Sequence, residues 1–129
     1  MKRNRFPPPP PRPSKRPAVD QQTFQRAVAF HQQGNLTEAR KLYGEILRVS
    51  PTHFDALHLL GLISHQLGEN EEALRYFRKA ISVKADFAPL YTNYGLALIA
   101  LNRFDEAFAV YDKGVSLDPR NADLFNNYG

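Results

Sequence analysis

Apolar residues along this chain recur at helical spacing, and the pattern then recurs as a block. Leu57, Leu60, Gly61, Ser64 and Leu67 follow the i, i+3, i+4, i+7 rhythm of one helix face turned to a core. Gly68 then breaks the stripe, as a residue with access to left-handed dihedrals does at a helix C-terminus. Glu71 and Glu72 come next, acids placed where the first turn of a second helix favours them. Ala73, Tyr76, Phe77, Ala80, Ile81 and Val83 continue as that helix's buried stripe. The same sequence of events returns with Tyr91, Tyr94, Gly95, Leu98 and Leu101, then Ala107, Val110, Tyr111, Gly114 and Val115. Pro89 fits a first helical turn, where its missing amide hydrogen costs nothing. The spacing predicts helices over 20–33, 36–49, 54–67, 70–83, 88–101 and 104–117, with another starting at 122.

The block length is fixed. Glu38-Ala39, Glu72-Ala73 and Glu106-Ala107 stand 34 residues apart, and four residues after each alanine comes Tyr43, Phe77 or Tyr111. Leu47, Ile81 and Val115 keep the register, as do Val49, Val83 and Leu117. Small residues occupy Ala27, Gly61, Gly95 and Gly129, again 34 apart. Agreement among independent columns at one period is the signature of a repeat array whose units each bury one face on the next. The small column has a steric role. Without a side chain at Gly61 or Gly95, Phe77 or Tyr111 of the following helix can close over the backbone.

These columns resemble the tetratricopeptide repeat (TPR), over residues 20–129. The residues that carry the resemblance are Leu60-Gly61, Gly68, Ala73, Phe77 and Ala80 in one unit, and Tyr94-Gly95, Ala107, Tyr111 and Pro119 in the next. Asn102 replaces the turn glycine of the third unit, Ser64 stands where the family prefers an aromatic, and Arg26 occupies a usually apolar position. The resemblance implies an all-α fold: a right-handed α–α superhelix of three helix pairs (20–53, 54–87, 88–121) plus the first helix of a fourth (122–129). It also implies that the first helix of each pair lines a concave groove. The groove positions are then Asp55, His58, Leu59, Leu62, His65 and Gln66 in one unit, and Pro89, Thr92, Asn93, Leu96, Ile99 and Ala100 in the next. An apolar floor with amide and imidazole edges and almost no charge suits an extended peptide or partner segment, so the expected role is a protein–protein interaction scaffold.

Asn93 and Asn127 stand 34 apart on the groove line, and an asparagine amide can both donate to and accept from a peptide group. Leu90-Tyr91-Thr92-Asn93-Tyr94-Gly95 resembles the asparagine ladder of O-GlcNAc transferases and their bacterial relatives. The alternative role it implies is substrate recognition for a larger glycosyltransferase. The column is broken at Leu59 and has Gln25 in the first unit. TPR domains that grip a heat-shock chaperone's carboxylate use Lys, Asn and Arg on this face; the matching places here hold neither Lys nor Arg, and that role is set aside. At the C-terminus Leu124, Phe125, Tyr128 and Gly129 re-enter the repeat before the chain stops. The sequence is therefore expected to be a fragment of a longer protein, whose Leu124, Phe125 and Tyr128 face pairs end-to-end with a second copy.

Charge changes the picture in one place. The 129 residues carry a formal charge of +4, but residues 1–17 hold six of the 17 Lys and Arg and no acid, leaving 11 bases against 13 acids elsewhere. The same stretch holds seven of the ten prolines, including the run 7–11, so the basic pI belongs to this tail. Proline fixes φ and removes the amide donor, so residues 1–19 are expected to be an extended, disordered tail. Binding of nucleic acid, an anionic membrane or an SH3 domain by residues 1–17 is kept only as a minor alternative to that reading. With no cysteine there is no thiol nucleophile or thiolate metal site. No nucleotide-binding, zinc-protease or serine-hydrolase motif occurs, so neither catalysis nor a cofactor is assigned to this segment. His58 and His65 lie two helical turns apart, about 10.5 Å, too far to share one zinc. Five prolines after Phe6 take the place of a signal peptide's apolar stretch, and the expected location is cytoplasmic.

Overall fold

The computed structural model describes residues 21–119, which form six α-helices: α1 (Gln21–Gln32), α2 (Leu36–Val49), α3 (Phe54–Gln66), α4 (Asn70–Val83), α5 (Ala88–Ala100) and α6 (Phe104–Leu117). Among the described residues there is no strand. Each odd-numbered helix packs most extensively on the helix that follows it, and each pair leans on the next through α2–α3 and α4–α5. The result is an all-α superhelix of stacked helix pairs. Positions 1–20 and 120–129 lie outside the described residues, and with them the proline-rich stretch, the helix expected from 122, and Leu124, Phe125, Asn127 and Tyr128.

The turn inside each pair follows from local chemistry. Gly34 and Gly68 have φ of +82°, and Asn102, the one non-glycine among the described residues with positive φ, has +61°. Each closes its helix in the same way: Asn35, Glu69 and Arg103 donate their amide hydrogens to the carbonyls of Phe30, Ser64 and Leu98, five residues back. That bond reclaims a carbonyl the helix end leaves orphaned, and the left-handed residue makes it reachable. At the helix starts, Asn35 Oδ1 accepts from the Glu38 amide and His53 Nδ1 accepts from the Ala56 amide.

The core runs between the pairs. Ala27, Ala39, Tyr43, Ile46, Leu60 and Ile63 join α1, α2 and α3; Leu57, Leu74, Phe77, Leu90, Leu98 and Ala107 join α3 to α6. The small column closes as its steric role requires. A Cβ added at Gly61 would fall 2.6 Å from Phe77 Cε1, and one at Gly95 would fall 2.6 Å from Tyr111 Cζ. Two stripe residues leave the core. Leu67 caps α3 rather than ending it and is 40% exposed, and Val83 in the last turn of α4 is 41% exposed, because the apolar stripe runs off the packed face at the helix end. On α6 only Ala107 and Gly114 are buried, and Phe108 is 60% exposed. Leu74, its counterpart 34 residues earlier, is fully buried in one cluster with Leu90 and Leu98 of α5.

Candidate functional site

The expected groove positions lie on α3 and α5, which touch directly. Asp55 in the first turn of α3 and Gln66 at its end are exposed, while Leu59, Leu62, His65, Asn93 and Leu96 are half-buried. His58 and Thr92 are not groove-lining: each is 8% exposed, and this corrects the expectation that they point away from the core. The reason is visible in the repeat register. The His58 ring stands 6.2 Å from Phe77 of its own pair, and Phe24, 34 residues earlier, stands 6.0 Å from Tyr43. This position packs against the large aromatic of the second helix, and the next residue along, Leu59 or Asn93, faces outward.

His58 is walled by aromatic rings. Phe54 lies 6.1 Å away, and Phe87, just before α5, meets it edge-on at 5.7 Å. Phe54 and Phe87 contact each other edge-to-face at 5.7 Å, and the Lys84 ammonium sits 5.6 Å from both ring centroids. Burial lowers the His58 pKa below the usual histidine value, and the carboxylate of Asp55, one turn earlier, acts against that shift. The Asn93 side-chain amide donates to His58 Nε2 over 2.9 Å, linking α5 to α3. A nitrogen that accepts carries no hydrogen, so this bond requires a neutral ring protonated at Nδ1.

A second link has the same offset. His31 Nε2 donates to Gln66 Oε1 over 2.9 Å, from the end of α1 to the end of α3. Both links run from one first helix to the next across 35 residues, one more than the repeat. His65 Nδ1 donates to Asn70 Oδ1 over 2.6 Å, joining α3 to the start of α4. Four expected groove residues, His58, His65, Gln66 and Asn93, are thus held in place by partners within the fold. His31 and Asn70 were absent from the sequence-based site. The available signal was a histidine followed by an amide side chain 35 residues later, which occurs at His31/Gln66 and His58/Asn93. Thr92 Oγ1, Ser64 Oγ and the Tyr43 hydroxyl are buried without a hydrogen-bond partner among the described residues. The Tyr43 hydroxyl is pushed up to about 12 by burial and, secondarily, by Asp55. Among the described residues no three His, Asp or Glu side chains gather as a metal site, and no helix is long and apolar enough to cross a membrane.

Stacked helix pairs whose first helices present apolar residues edged by amide and imidazole groups define a helical-repeat solenoid. Family models for the tetratricopeptide repeat match residues 21–86 and 64–126, and the chain belongs to the tetratricopeptide repeat family. Human tetratricopeptide repeat protein 7B is 42% identical over 45 residues, which is 35% of this chain and 5% of that protein. Among solved structures, the first TPR of Spaghetti (RPAP3) bound to the HSP90 peptide SRMEEVD superposes with a TM-score of 0.78 at 21% identity, over 84% of this chain and 90% of that one. MamA residues 41-end from Desulfovibrio magneticus RS-1 superposes with a TM-score of 0.73 at 22% identity, over 79% of this chain and 58% of that one. The chain therefore spans a small fraction of the curated relative and a little over half of MamA. At these identities the structural likeness establishes the fold alone.

Proposed function

We propose that this chain is an interaction module that holds an extended, largely apolar segment of a partner protein along α3 and α5. The observation that carries this reading is the half-buried row Leu59, Leu62, Asn93 and Leu96, apolar except for one amide, on the outward face of two adjacent first helices. Apolar side chains of the partner would lie on the leucines while Asn93 bonds its backbone. Binding of a peptide by a similarly folded TPR, that of Spaghetti, supports the mode of use. Its ligand SRMEEVD is acidic. The groove positions on α3 and α5 offer no Lys or Arg, so a different peptide chemistry is expected. The glycosyltransferase reading rests on Asn93 together with Asn127, and of the two only Asn93 lies among the described residues.

A displayed library of random dodecapeptides, selected against the full chain, tests the proposal. Apolar-rich binders are expected, and Leu96→Glu should abolish their binding without altering the helical circular dichroism. Asn93→Ala should weaken it by about 1 kcal/mol, the worth of one ordinary hydrogen bond. Binders whose contacts map by NMR to α2, α4 or α6 instead would overturn it.

A further inference from the structure

We propose that His58 is a positioning residue that decides which end of the Asn93 amide is offered to a chain lying in the groove. The inference rests on the groove reading above, but its test needs no partner. An asparagine amide has a donor end and an acceptor end on opposite sides of one carbon, so fixing one end presents the other. Here the donor end is fixed. Asn93 Nδ2 lies 2.9 Å from His58 Nε2, and an unprotonated ring nitrogen can only accept. Phe54, Phe77 and Phe87 wall the imidazole, and the ring is 8% exposed, so its orientation is set by packing. Oδ1 is then the end of the half-buried Asn93 side chain turned away from His58. A bound chain meets an acceptor there and is held through a peptide N–H.

Protonating His58 reverses the logic. Nε2 then carries a hydrogen, and the amide must turn by half a rotation to bring Oδ1 to it. The donor end is offered outward, and the groove takes a peptide carbonyl instead. One proton on a buried ring thus replaces an acceptor with a donor beside Leu96. The charged and titratable groups around the ring come from every neighbouring element. Asp55 belongs to α3, and Lys84 at the end of α4 lies over the Phe54 and Phe87 rings. Asp86 precedes Phe87 in the connection to α5, and Tyr94 of α5 packs on the Phe77 ring at 6.1 Å. Burial opposes the imidazolium most, and Asp55 favours it.

The experiment is a pH titration of the free, 15N-labelled full chain by NMR, from about pH 8 to about pH 5, the range in which histidine exchanges its proton. Long-range ring correlations report the His58 tautomer, and the Asn93 side-chain NH2 pair reports the amide. The expected result is an Nδ1–H tautomer at neutral pH. The Asn93 pair should shift with the same midpoint as His58, and that midpoint should lie below the ordinary value of about 6.5. In His58→Phe, which keeps an aromatic ring against Phe77 but cannot accept, the Asn93 shift should vanish. In His58→Gln, whose carbonyl can still accept, the neutral-pH position should be restored without the titration. An Nε2–H tautomer at neutral pH, or an Asn93 pair that ignores the His58 midpoint, overturns the proposal. Should either variant fail to fold, the wild-type titration decides alone. Because no peptide is present, a negative result leaves the groove reading standing, and failure of the peptide selection leaves the His58–Asn93 coupling standing while removing the bound chain it would act on.

Discussion

At the scale of single residues, the two glycines of the small column look alike in sequence and differ in what surrounds them. A methyl at Gly61 would press on Phe77, which is fully buried and has no room to withdraw. A methyl at Gly95 would press on Tyr111, which is half-buried and can tilt outward on the last helix pair. Overpacking a core commonly costs about 1–3 kcal/mol. Gly61→Ala should therefore fall at the upper end of that range and Gly95→Ala at the lower, as urea unfolding midpoints would show. Equal losses would mean that Phe77 yields as easily as Tyr111. Ala27 opposite Tyr43 shows that a methyl is tolerated where the pair is built around it, since both residues are fully buried.

At the scale of elements, each helix hairpin depends on one left-handed residue. Gly68→Ala puts a Cβ on a φ of +82° with open space around it, so the cost is backbone strain alone, about 1 kcal/mol. Asn102→Gly should go the other way and raise the thermal midpoint, because glycine adopts that φ without the Cβ penalty that asparagine only partly evades. A fall in the midpoint on Asn102→Gly would show that the asparagine side chain contributes more than its backbone costs. These turns were legible in the sequence, and so were all six helices, because both the 34-residue period and the glycine or asparagine break belong to the chain itself. The bounds differ from expectation by a residue at most, as at Leu67 and Leu101, which cap their helices instead of ending them. The links between first helices left only a faint trace, a histidine followed by an amide 35 residues later, which the 34-residue period does not mark. Which α5 side chain His58 meets depends on how far one pair is displaced on the next, and a periodic sequence does not encode that displacement. His58 and Thr92 sit one position inside the groove line, a register in which His58 packs on Phe77 of its own pair.

At the scale of the whole molecule, the stack is held by its apolar clusters and tied by a few polar links between pairs. Three of these ties are exposed, the His31–Gln66 bond among them. The Arg40–Glu69 ion pair and the Arg78 Nε–Tyr94 hydroxyl contact at 3.3 Å sit in solvent, where such contacts contribute little and salt screens the ion pair. The His58–Asn93 tie is part-buried and depends on a neutral ring, so it links the stack's stability to pH. The folded protein resists protonating His58, whereas the unfolded chain takes up that proton near the ordinary value of about 6.5. Over the interval below that value and above the lowered folded value, the unfolded state therefore binds more protons, and stability falls as the solution is acidified. For one proton the slope cannot exceed about 1.4 kcal/mol per pH unit. Urea midpoints measured downward from about pH 7.5 should decline through this interval. In His58→Phe that part of the decline should be missing, whatever the variant's stability at neutral pH. A His58→Phe profile parallel to the wild type would place the acid sensitivity elsewhere in the stack, and the buried imidazole would then be neutral packing with no hold on the fold's response to protons.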